Sequence, residues 1–307
     1  MKTRKISFVL LVAGLAISAS SFGQGIYFGV GGGYGFSAAK MDFGADQKTT
    51  STSHNGNSSN STVYTANSGS IGRGINLGLY GGYMVNKNIG VELGIGYLIG
   101  STSKSVNETD ASTSNGAPFP NSSSTETDIS TSTYKGSMLR LVPSIRIQCG
   151  ENKIHPYAVA GLIIGVAGKM TYETVSTKSY TQSPGNPPAN TNDDNVWVYN
   201  GGVSWGFHSA IGAMYMVSDK IGIFGEVAAN LQNFAPSKSV LTVSTSNGKD
   251  NLPNMTTDQK ETDYSSTYTT SSSSPAGTGS PSQSTTIRLP FSSIGITVGV
   301  HFTLGGK

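Results

Sequence analysis

Between Ile89 and Gly100 the odd positions read Ile89, Val91, Leu93, Ile95, Tyr97 and Ile99, and the even positions read Gly90, Glu92, Gly94, Gly96, Leu98 and Gly100. An alternation with period two places bulky apolar side chains on one face and glycine or small polar groups on the other, which dictates a strand. The same rule holds upstream, with Ile75, Leu77, Leu79, Tyr83 and Val85 opposed to Gly74, Asn76, Gly78, Tyr80 and Gly82, so Asn86 to Asn88 form a tight hairpin turn.

The pattern recurs over eight predicted strands: about 26–38, 74–85, 89–100, 135–148, 156–170, 197–217, 221–234 and 287–304. The fifth is apolar on both faces, so its facing is open at this stage. The connections also alternate. Short turns fall at Asn86 to Asn88, Cys149 to Ile154 and Ser218 to Lys220, whereas long Ser, Thr, Asn and Gly segments occupy about 39–70, 101–134, 171–196 and 235–286. Structureless loops of that length argue against strands in a water-soluble domain, but they are expected at one end of a membrane barrel. The stretch STSHNGNSSNST is read as mobile and water-exposed. Pieces such as KSVLTVSTS alternate weakly and are candidates to prolong strands as hairpins.

Composition separates the two faces. The 307 residues are 36% hydrophobic and only 12% charged, with 40 glycines. A polar face meeting water should be rich in charge, and here it is glycine and serine. Glycine suits the crowded inside of a small barrel, whose interior is just wide enough for side chains to fill. The bulky face is then left to lipid. Closure follows from hydrogen bonding, since an open sheet edge in hydrocarbon leaves backbone groups unpaired. The expected fold is all-β, an eight-stranded antiparallel up-and-down transmembrane barrel.

Lys2, Arg4 and Lys5 precede the apolar run Phe8 to Ile17 and a tail of small residues, the layout of a secretory signal peptide over residues 1–23 with cleavage after Ser20 or Gly23. The run is too short for a transmembrane helix. Removing those three cations takes the formal net charge from +3 to zero, so nucleic-acid binding has no electrostatic support. Cys149 is the only cysteine and no metal cluster or cofactor motif accompanies it; no cofactor is expected.

The opening GIYFGVGGGYGF, the IGVELGIGY style of strand, HPYAVAGL and the closing IGITVGVHFTL resemble the eight-stranded outer-membrane β-barrels of Gram-negative bacteria, the broad OmpA-like and OmpX-like superfamily. The resemblance covers residues 24–307 and implies outer-membrane lipid as surroundings, periplasmic chaperones and the barrel assembly machinery as partners, and loops facing the exterior, where an extracellular ligand is unspecified. Two departures stand out: no peptidoglycan-binding domain is expected after the barrel, and the last strand runs on through Gly305, Gly306 and Lys307 rather than ending on an aromatic residue.

Four ionisable residues fall on the predicted lumen face: Glu92, Arg140, Arg146 and Glu226, with His208 and Asn76 as lumen polar groups. Two charges of each sign predict internal ion pairs, because an unpaired buried charge is costly, and Glu92 should pair with Arg146 near the short-turn end. The network either seals the barrel or gates a narrow pore. Aromatics expected at the bilayer interfaces are Tyr83, Tyr215 and Phe302 toward the short turns and Phe36, Tyr97, Trp197 and Tyr199 toward the loops. Pro143 interrupts the fourth strand and predicts a bulge or a side opening. His301 and Thr303 share a face, faintly like the catalytic pair of lipid A deacylases, but lack an orienting carboxylate, so no enzyme is expected. The sequence favours a structural, surface-interacting envelope protein, with a narrow channel, a lipid-modifying enzyme and a soluble secreted barrel as alternatives.

Overall fold

A computed structural model describes residues 25–38, 41–116, 122–150, 153–183, 188–268 and 279–304. The predicted signal peptide and the terminal Gly305, Gly306 and Lys307 lie outside the described residues. Among the described residues seventeen strands, numbered along the chain, join in one sheet.

Strands β1 (Ile26–Ser37), β4 (Gly74–Met84), β5 (Ile89–Gly100), β7 (Ser122–Gln148), β8 (Ile154–Ser183), β10 (Ser204–Met216), β11 (Ile221–Phe234) and β17 (Ser293–Thr303) pair antiparallel in that order. β17 then pairs back onto β1, from Tyr27 opposite Thr303 to Ser37 opposite Ser293, which closes the ring. A closed ring has no unpaired edge.

The total of seventeen strands departs from the predicted eight. The segments expected to be long loops contain β2 (Met41–His54), β3 (Asn57–Gly69), β6 (Ser103–Asn115), β9 (Ala189–Asn200), β12 (Lys238–Ser246), β13 (Lys249–Asp250), β14 (Glu261–Ser265) and β15 (Ser282–Thr285), plus a one-turn helix at Thr257–Lys260. β7 and β8 run past the ring and carry this extension, pairing as far as Ser123 opposite Ser183. β6 adds to β7, β2 adds parallel to β6, and β9 and β12 add beyond β8. Threonine-rich segments pair their backbones without needing an apolar face, and two turns set the register. Asn55-Gly56 and Asn247-Gly248 all have positive φ, at 48°, 81°, 50° and 77°, the geometry that favours Asn-Gly in two-residue hairpins. The stretch read as mobile is therefore one such hairpin.

The predicted sixth strand divides at Gly201 and Gly202, with φ of 76° and 77°. β9 above the break pairs with β12, outside the ring, and β10 below it stays in the ring. A Cβ at position 202 would also strike the carbonyl of Ala235. Gly202→Ala is expected to cost about 1–2 kcal/mol, measurable as a lower denaturation midpoint. The eighth strand starts at Ser293 rather than Ile287. Residues 289–290 (β16) keep the β11 register, Phe234 opposite Leu289, but the chain has left β1 and turns Leu289 and Phe291 inward. Pro143 stays in register opposite Leu93; the shift in the β7–β8 ladder falls at Leu139/Arg140 instead.

Outward side chains form an apolar belt. One residue from each ring strand, Phe28, Leu79, Leu93, Ile145, Leu162, Ile211, Val227 and Ile296, is 43% to 74% exposed. Among the outward positions of the paired ring segments the charged one is Lys169, exposed opposite Ser137 at the extension end, above the belt. β8 resolves its facing in the same manner: Tyr157, Val159 and Ile163 are buried inside, while Ala158, Ala160 and Leu162 face out.

Candidate functional site

Two packed layers cross the ring interior. At the extension end, Ile71, Leu98, Met138, Met170, Phe234, Leu289 and Phe291 form an apolar layer over the mouth. Phe291 is fixed there by its own backbone, since its N–H donates to Gln232 O at 2.9 Å and its carbonyl accepts from Arg140 Nη2 at 3.2 Å. Near the short turns, Tyr157, Val159, Ala210, Met214, Phe224 and Ala228 pack together with Tyr80.

The charged residues sit at and between these layers. Arg146 Nε donates to Glu92 Oε1, with both side chains at most 5% exposed. Tyr27 donates to the same carboxylate oxygen at 2.9 Å. The guanidinium carbon of Arg146 lies 4.1 Å from the Tyr157 ring centre and 5.4 Å from that of Tyr80, within the range of cation–π attraction. The four charges do not resolve into two pairs, however. Arg140 is buried on neutral acceptors, donating to Gln232 Oε1 at 2.9 Å, Asn76 Oδ1 at 3.1 Å and the Phe291 carbonyl. Glu226 instead accepts from Tyr157 at 2.8 Å. The inward turn of residues 289–291 explains this departure, because it supplies Arg140 with a backbone acceptor that a plain eighth strand would not. His208 Nδ1 meets Asn230 Oδ1 at 2.9 Å.

Glu92, Arg140, Arg146, Glu226, His208 and Asn76 all line one chamber of about 150 Å³ between the layers. Among the described residues, Arg146 Nη1 is a buried donor with no partner. The sequence had no signal for the tyrosine shell of Tyr27, Tyr80 and Tyr157, beyond their inward parity.

The other predicted positions divide. Phe36, Tyr97 and Tyr215 are exposed on the belt, Tyr83 is half-buried, and Phe302 stacks on Phe28 with centroids 4.9 Å apart. Trp197 and Tyr199 are corrected: both lie on β9 outside the ring, half-buried, with Tyr199 stacked 6.2 Å from Tyr264. The Gly201-Gly202 break is the cause, and it leaves Trp205 and Phe207 as the exposed aromatics at the extension end of β10. His301 is buried in the interior with Nδ1 3.0 Å from Tyr80 Oη. In the extension, the backbone N–H of Val106 holds the Asp46 carboxyl below its ordinary range, with the Asn67 amide adding to it. A hydrogen bond to Glu108 raises the Lys48 ammonium.

Residues 7–236 match the family described as outer membrane protein beta-barrel domain. No curated protein matches the sequence. The match runs through β11 and so takes in seven of the eight ring strands, and the closed antiparallel ring with its apolar belt agrees with that description. The chain belongs to the outer membrane protein beta-barrel domain family.

Proposed function

We propose that this outer-membrane β-barrel protein is a surface-interaction protein. Its eight-stranded ring spans the membrane with the short turns in the periplasm, and its sheet extension stands outside the cell. One observation carries the reading: the ring's mouth is filled by side chains almost without exposure, whereas the largest part of the remaining sheet rises above it as paired Ser/Thr-rich strands. Such a molecule offers a rigid outer surface and a closed lumen. The signal peptide delivers it to the periplasm, where chaperones and the assembly machinery insert it; its outer partner is an extracellular ligand or surface. In this reading the protein is non-catalytic, and the His301 ring is engaged with Tyr80 inside the barrel.

Planar-bilayer recording tests it. Wild-type protein is expected to give no reproducible opening, and a cysteine at Val63 is expected to react with an impermeant maleimide on intact cells. Steady conductance by the wild type would instead favour the narrow channel. Deleting residues 235–286 should remove surface binding; loss of gating in its place would overturn the surface role.

A further inference from the structure

On β7 and β8 the outward face changes chemistry abruptly at the extension end. Leu139 of β7 stands opposite Ala167 of β8 on one side and Tyr97 of β5 on the other, and Ala167 and Tyr97 are exposed. Toward the extension the next row is Ser137 opposite Lys169, and the one after it is Lys135 opposite Thr171. Across the other edge of β7, Lys104 of β6 stands opposite Thr133. Residues opposed in a ladder share a face, as do positions two apart on a strand. Lys104, Lys135 and Lys169 therefore lie on one diagonal across β6, β7 and β8, all exposed on the face that carries the belt. Successive members are diagonal neighbours, about 7–8 Å apart at the backbone, so their long side chains can converge on one anion.

Their height suits a lipid headgroup. Each row lies about 7 Å farther along the strand, or about 5 Å higher at a tilt of about 45°, and the polar layer of a bilayer adds about 5–7 Å beyond each hydrocarbon edge. Lys169 then falls within that layer and Lys135 at its outer limit, where a lysine reaches back along its own stem. The charge is also unspent. The lysine ion pairs among the described residues are made by Lys48, Lys178 and Lys238, not by these three. Arg73 adds a fourth cation at the edge of the patch, donating from Nη2 to the Thr102 carbonyl at 3.0 Å. Two acids are neighbours by register: Glu173 opposite Thr133, and Asp46, which is held by the Val106 N–H and the Asn67 amide. Positive charge stays in excess directly above the apolar rows.

We propose that this diagonal binds the phosphorylated headgroup of an outer-leaflet glycolipid, lipid A, with its phosphates on Lys135, Lys169 and Lys104 and its acyl chains along Tyr97, Leu139 and Ala167. The inference rests on the reading that the extension lies outside the cell; labelling at Val63 tests that reading by itself, whereas lipid binding in detergent does not depend on orientation. The test is titration of the full chain, refolded in a zwitterionic detergent, with diphosphoryl lipid A and with its dephosphorylated form, the bound lipid being counted by native mass spectrometry. Wild-type protein is expected to bind the diphosphoryl lipid at least tenfold more tightly. The triple variant Lys104→Gln, Lys135→Gln and Lys169→Gln is expected to lose about a hundredfold, about fivefold for each lysine at an anionic lipid surface, and the pair Lys135→Gln and Lys169→Gln serves should the triple variant fail to fold. Lys249→Gln, beside the distant Asn247-Gly248 turn, is expected to bind like the wild type. Equal binding of the two lipids, unchanged affinity in the variants, an equal loss in Lys249→Gln, or displacement by inorganic phosphate at the lipid's own concentration would each overturn the proposal.

Discussion

Glu92→Leu is expected to destabilise the barrel by about 3–5 kcal/mol, the usual consequence of removing one partner from a buried ion pair. The effect is large because one carboxylate oxygen serves two donors, Arg146 and Tyr27, in a place that water does not reach. Losing it strands a guanidinium that already has one unpartnered nitrogen. Glu92→Gln should fall between the two, since its amide oxygen still accepts a hydrogen bond but leaves the positive charge uncompensated. The double variant Glu92→Leu with Arg146→Met should recover most of the loss, because a buried pair replaced by apolar groups of similar volume is often neutral. The check is a urea titration of the refolded barrel, read by the fraction that keeps its folded gel mobility. A single-variant loss under about 1 kcal/mol, the range of exposed pairs, would show that water reaches this pair.

Leu93→Arg should cost about 2–4 kcal/mol, as a cation does near the bilayer midplane on the lipid face of a barrel. Leu93 sits in the middle of β5, opposite Gly81 on one side and Pro143 on the other, with half its surface exposed. Val63 on β3 is more exposed still, yet it lies in the extension, so Val63→Arg should stay within about 0.5 kcal/mol, as surface changes in water usually do. The pair of variants holds chemistry and exposure nearly constant and varies only the surrounding solvent. The same denaturant titration in lipid vesicles measures both. Equal costs at the two positions would contradict a membrane-embedded ring.

Which parts of this were legible in the sequence depended on where hydrophobicity reported geometry. Inside the ring, an outward apolar face alternating with inward glycine or polar residues marks every strand but the doubly apolar β8, and the bounds 26–38, 89–100 and 221–234 fall within a residue of β1, β5 and β11. Above the ring both faces meet water, so alternation carries little signal, and Ser/Thr-rich strands look like loops. The usable clues there were local ones, the Asn-Gly pairs at 55–56 and 247–248. The doubled glycine at 201–202 likewise outweighed the apolar alternation read from Trp197 to Val217, which moved two aromatics off the belt. At the site, parity was enough to place Glu92, Arg140, Arg146 and Glu226 inside. Equal depth from the short turns also picked out the Glu92–Arg146 pair, whereas the partners of Arg140 were not readable, because it is satisfied by a backbone carbonyl brought in by the turn at Phe291 and by the Gln232 and Asn76 amides.

Spin labels offer the most direct test of the facing on which the account depends. With the exposed Cys149 replaced by serine, single labels at Leu93, Val298 and Thr297 in lipid vesicles would be relaxed in turn by oxygen, which concentrates in hydrocarbon, and by a water-soluble nickel chelate. Leu93 and Val298 are expected to respond strongly to oxygen and hardly to nickel, with Thr297 shielded from oxygen by the ring wall. Nickel access at Leu93 and Val298, together with oxygen access at Thr297, would contradict it.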